Sequence, residues 1–138
     1  MIIDATNLII GRVASIAAKK ALLGETVSIV NCEKAMMTGR RQEILLRYRE
    51  IKARKAPTKG PYIHRMPDRF VRRIVRGMLP YKYERGRKAF EKVKCYIGVP
   101  NEFNNQKFET IAEINIAKVP NLRYITVGEI CKSMGAKI

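Results

Sequence analysis

Arg69, Arg72, Arg73 and Arg76 lie in the stretch RMPDRFVRRIVRGMLP at spacings that suit one face of a helix. Wound at about 100° per residue, they fall on one side. Phe70, Val71, Ile74, Val75, Met78 and Leu79 fall on the other. A guanidinium is permanently charged, planar and rich in N–H donors, so such a row grips phosphates or carboxylates rather than making or breaking bonds. Asp68, one helical step of four from Arg72, is the only acid near them. A solvated face laced with salt bridges therefore does not account for the set.

Three further groups share this chemistry. Lys82, Arg85, Arg87 and Lys88 form a second basic block in YKYERGRKAF. Thr38, Gly39, Arg40 and Arg41 read as a turn ahead of a helix, where free backbone N–H groups attract anions. That turn is too short to tell an RNA phosphate from a nucleotide. The Pro-rich stretch around APTKGPYIHRMP reads as a loop or as an arm lying along nucleic acid, with Lys55, Lys59 and Arg65 as its cations. Tyr62 or His64 would there stack on an unpaired base.

Other chemistries find little support. His64 has no carboxylate partner nearby in sequence for general-base work. Cys32, Cys95 and Cys131 are far apart, with no CxxC, whereas zinc wants about four clustered ligands. Each cysteine lies in or beside an apolar run, as a buried thiol would. No GxGxxG follows the first predicted strand, and no GxxxxGK[ST] occurs anywhere. The expectation is a protein with no catalytic residues, no metal and no cofactor.

The charge is also partitioned. Residues 34–94 carry 20 Lys or Arg against 5 Asp or Glu, and the rest of the chain carries 8 against 7. Nearly all of the net +16 therefore sits in one block, which points to a polyanion as partner. At 138 residues the chain reads as a single domain over 1–138, with the basic insertion at about 34–94. Hydrophobic residues make up 46%, enough for a core. No apolar run approaches the ~18 residues of a membrane span. The opening MIID reads as a strand rather than a secretion signal, so the expectation is a soluble, intracellular protein.

The elements that would carry these residues follow from local pattern. Residues 1–4 predict a strand, RVASIAAKKALL a helix stopped at Gly24, and 26–32 a second strand covered on both faces. This is a βαβ unit. A helix is predicted over 40–54, with Ile44, Leu45, Tyr48 and Ile51 at helical spacing and basic residues scattered around them. The arginine helix is closed by Gly77 and Pro80, and another helix spans 84–94. Apolar strands are predicted at 95–99 and 123–126, and Thr126 to Glu129 matches a capping box for a final helix ending at Gly135. The pattern of 104–122 types no element.

The sequence resembles the universal large-subunit ribosomal protein L-thirteen family, in its archaeal and eukaryotic-like form. IIDATNLIIGRVASIAAKKAL resembles the family's opening, VNCEKAMMTG its second strand and turn, and VRRIVRGMLPYKYERGRKAFEKVKCYIGVP its signature block. The likeness covers 1–103 well and thins from Asn104, where TVGEICKSMG still resembles archaeal C-termini. It implies a three-layer α/β/α domain around a four-stranded parallel sheet, with a basic loop and helix extension facing RNA. It also implies a structural role in the large subunit, binding its rRNA and supporting its assembly in the cytoplasm, beside neighbouring ribosomal proteins. Neither a membrane partner nor a homo-oligomer is expected. On that reading the RNA-facing surface comprises Thr38 to Arg41, the arm 55–65, and the stretch 69–88, where Gly77 and Gly86 let the RNA backbone approach closely.

Overall fold

A computed structural model describes residues 1–54, 56, 58–103, 106–120 and 123–138. It is a mixed α/β structure whose parallel sheet has the order β1 (Ile2–Asp4), β2 (Val27–Val30), β4 (Val93–Cys95). Ile3 pairs with Ile29, and Ile29 with Cys95. Because side chains alternate across a strand, Ile3, Val27, Ile29 and Val93 share one face, and all four are fully buried. They join one core with Val13, Ala14, Ala17, Ala18 and Ala21 of α1 (Ile10–Leu22). The small alanines let α1 lie close, as its composition predicts. The helix ends at Leu22 with Leu23 as its cap, and Gly24 takes the left-handed φ of 101° that closes it.

The expected four-stranded sheet is corrected to three parallel strands among the described residues. The fourth position is a single parallel bridge from Glu109 to Ile3, on the free edge of β1. Residues 106–110 are all exposed, so backbone pairing there gains no buried side chain to extend it. The second strand is covered largely on both faces, as its composition predicts: Val27 and Ile29 are buried on one side, and on the other Val30 is buried and Ser28 half-buried. Its neighbours are more open on that side, with Ile2 of β1 half-buried and Lys94 of β4 exposed.

An antiparallel ribbon, β3 (Met36–Thr38) with β5 (Tyr124–Thr126), stands apart from the sheet. The sequence predicts β5 and misses β3. Thr126 caps α5 (Val127–Ser133), its hydroxyl accepting from Glu129 N–H at 3.1 Å. The basic region carries α2 (Arg41–Ala53), α3 (Pro67–Met78) and α4 (Glu84–Glu91). α4 stops three residues short of its expected end because Val93 enters the sheet opposite Val27. Cys32 and Cys131 are buried and Cys95 is half-buried, and all three are free thiols. Burial, with a smaller push from Asp68, raises the Cys131 thiol to about 12.

Candidate nucleic-acid interface

α3 has its two faces because its sequence has them. Pro67 pre-sets the first turn, and Asp68 sits where the helix dipole favours an acid. Phe70, Val71 and Val75 are buried, and Ile74 is half-buried against the core. Gly77 remains helical. The stop comes from Pro80, which forces Leu79 before it into extended backbone, φ −102° and ψ 148°.

The outward side is a cleft of about 420 Å³ lined by His64, Arg69, Arg72, Arg73, Arg76 and Phe90. Arg72 lies over the Phe90 ring at 4.6 Å, and Arg76 over the Tyr81 ring at 4.1 Å. Aromatic faces hold these guanidiniums in place without neutralising them. Among the described residues, Arg72 Nε and Asp68 Oδ1 are both buried without a hydrogen-bond partner, so the turn from Asp68 to Arg72 leaves a donor unspent. Arg73 Nη2 donates to His64 Nε2 at 3.1 Å. Arginine can only donate, so His64 accepts there and carries its proton on Nδ1. Burial first, then the charges of Arg73 and Arg69, pull the His64 pKa below its ordinary value, against a pull from Asp68.

The remaining candidates divide among separate places. Arg40 and Arg41 line a second cavity, about 500 Å³, with Arg123 and Tyr124. Gly39 makes the turn there at φ 132°, its N–H donating to Arg123 O at 2.9 Å, and Thr38 ends β3. Arg40 pairs with Glu43 at 3.0 Å and Arg41 with Glu129 at 3.4 Å, both exposed. Sequence reasoning missed Arg123 and Tyr124 as members of this cluster, because only the ribbon pairing brings them to Thr38.

In the arm, Lys59 and Tyr62 are exposed, and the Tyr62 hydroxyl donates to Thr58 O at 2.8 Å. Lys55 lies outside the described residues. Arg65 turns toward Lys52 and Met134 rather than into the α3 cleft. Lys82, Arg85 and Arg87 are exposed, with Arg87 donating to Lys82 O at 3.4 Å. Lys88 pairs with Glu84 at 2.7 Å and faces a groove beside Ser28 and Lys94 on the outward side of the sheet. Gly86 departs from expectation. It is buried, and a Cβ there would run into the carbonyl oxygen of Pro80. Its missing side chain lets α4 pack on the preceding turn, whereas Gly77 is exposed with open space around it.

The C-terminal ends of the strands, where an open α/β sheet usually holds a nucleotide, are closed by a polar knot. Asp4 Oδ1 accepts from Asn31 Nδ2 at 2.9 Å and from the Thr6 hydroxyl at 2.7 Å. Burial alone would raise the Asp4 pKa, but the bonds from Asn31 and Thr6 outweigh it and hold the carboxyl below its usual value.

The pattern of the family described as Ribosomal protein L13 matches residues 1–102, the span over which the resemblance was strongest. That span holds the α3 cleft and the turn at Gly39. The chain belongs to the ribosomal protein L13 family. Relatives extend the likeness to nearly the whole chain. The large ribosomal subunit protein uL13 of Methanosarcina barkeri is 44% identical over 99% of this chain and 98% of its own length. That of Methanococcus maripaludis is 44% identical over 99% and 98%, and that of Haloarcula marismortui 40% identical over 99% and 91%.

Proposed function

We propose that this chain is a structural constituent of the large ribosomal subunit, at work in the cytoplasm, that binds large-subunit rRNA through its basic surface and supports subunit assembly. The observation that carries the reading is the α3 cleft, where four arginines and a neutral histidine face outward with Asp68 as the acid beside them. Guanidiniums held on aromatic rings are placed for phosphate before any ligand arrives, which lowers the ordering cost of binding. The separate cluster of Arg40, Arg41 and Arg123 suits a second stretch of backbone, so one chain bridges RNA segments distant from each other. Family membership supports the same partner, with neighbouring ribosomal proteins beside it.

The role is one of binding rather than catalysis. His64 is held by an arginine, not by a carboxylate that would make it a base. The test is the salt dependence of rRNA binding. Replacing Arg72, Arg73 and Arg76 together by Ala is expected to flatten the slope of log affinity against log salt by about two to three units, one per phosphate neutralised. The circular dichroism spectrum should stay that of the folded protein. An unchanged slope in a folded triple variant would sink the reading.

A further inference from the structure

Beside the arginine cleft lies a second cavity of about 350 Å³, between α2, the arm and α3. Its walls are Ile51, Ile63, Ile74 and the rings of Tyr48, Phe70 and Tyr62. Tyr48 and Phe70 meet edge to face at 5.2 Å, so their rings are fixed by each other. Tyr62 is 66% exposed, and its ring is accessible at the rim. The two cavities share His64 and Arg73, whose 3.1 Å contact marks the boundary between them. An apolar, aromatic-lined slot thus opens next to a cleft of cations.

That juxtaposition matches the two halves of one nucleotide. A base is a flat apolar body that stacks on rings, and its phosphate is an anion a short distance away. We propose that the slot takes a single unstacked base of the rRNA while Arg73 and its cleft hold the adjoining phosphate. This rests on the rRNA-binding reading and adds the form of RNA recognised: a flipped-out or single-stranded nucleotide rather than duplex. Sequence-specific RNA recognition commonly uses splayed bases on aromatic and Arg planes. The volume stands at the small end of ligand pockets, about 300 to 1,000 Å³, the scale of one base rather than a peptide segment. A neighbouring protein's apolar side chain would fit the walls, but it would leave Arg73, Arg69 and Arg76 unanswered.

The test uses the full chain and protein-free large-subunit rRNA of Methanosarcina barkeri as probe. Ile51→Trp fills the slot from a residue that is only half-buried, and Tyr62→Ala removes a wall that is largely exposed. Neither changes charge. Each is expected to weaken rRNA binding about tenfold, within the range for losing one base stack. The salt slope should stay as in the wild type. Thermal melting of both variants checks the fold, and Tyr62→Ala keeps the test open if Ile51→Trp does not fold. Wild-type affinity in folded variants overturns the slot while leaving the rRNA reading intact. Normal rRNA affinity with poor incorporation into reconstituted subunits assigns the slot to a protein neighbour, and likewise overturns it. A wild-type chain that does not bind the rRNA at all removes both.

Discussion

His64 is the one histidine of the chain, so its titration is directly visible by NMR. Burial and the cations of Arg73 and Arg69 disfavour its charged form. A pKa lowered in the folded state means that the folded protein binds fewer protons than the unfolded chain. The stability it contributes is complete above the ordinary value of 6.5 and is lost as pH falls through the lower, folded value. Phosphate entering the cleft reverses the local sign, since a nearby anion favours the imidazolium. The expected result is a midpoint below 6.5 in the free protein and an upward move when rRNA is added. A midpoint indifferent to RNA would mean that no phosphate reaches Arg73. The histidine itself is plain in the sequence. Its partner is not, because Arg73 lies in a different element and the arm must fold back to meet it.

At the scale of elements, two glycines make opposite predictions for the same substitution. Gly77 sits in α3 with helical backbone, exposed and with open space where a Cβ would go. Gly77→Ala should therefore stabilise the free protein by about 0.5–1 kcal/mol, through helix propensity and a less flexible unfolded chain. If RNA backbone packs against that spot, the same change should weaken rRNA binding. Gly86→Ala instead drives a methyl group into Pro80 O. That neighbour is backbone and cannot swing aside, so a loss of about 1–3 kcal/mol or more is expected. Urea unfolding of the two variants decides the matter: a neutral Gly86→Ala would mean that the α4 junction relaxes freely. Both glycines look alike in sequence, each in a basic stretch. Only the packing of α4 against the turn at Pro80 separates them.

At the scale of the molecule, the positive surface is several clusters rather than one sheet of charge. The α3 cleft, the Arg40–Arg41–Arg123 cavity and the groove by Lys88 have different linings. Between α2 and α3 the chain turns at Thr58 and Lys59, both exposed. Ala56 and Gly60 exchange backbone hydrogen bonds at 2.9 and 3.3 Å, and Ile63 is packed against the core. Lys59 at the tip is exposed. Ordering such a segment costs roughly 1–2 kcal/mol per backbone residue, with little burial at the tip to offset it. Hydrogen exchange should accordingly be fast at 58 and 59 in the free protein and slow in α1 and β2, with protection there gained on binding rRNA. Protection at 58 and 59 without RNA would show that the arm is held by the domain itself.

What the sequence alone determined is whatever a short window contains. The two faces of α3 lie within 12 residues, so the alternation of Arg69, Arg72, Arg73 and Arg76 with Phe70, Val71 and Val75 settles its orientation before any partner is known. The same holds for the alanines of α1, the cap at Thr126 and the concentration of charge in 34–94. Tertiary structure decided what depends on partners remote in the chain. The pairing of β3 with β5 carries Arg123 and Tyr124 to Arg40 and Arg41. The lone bridge at Glu109 leaves the parallel sheet at three strands among the described residues, because exposed residues 106–110 offer no side chain to bury. The fold of the arm onto α2 and α3 encloses the slot beside Arg73. Periodicity records which side of an element is apolar, but which surfaces meet is set by the whole chain's competition to bury them.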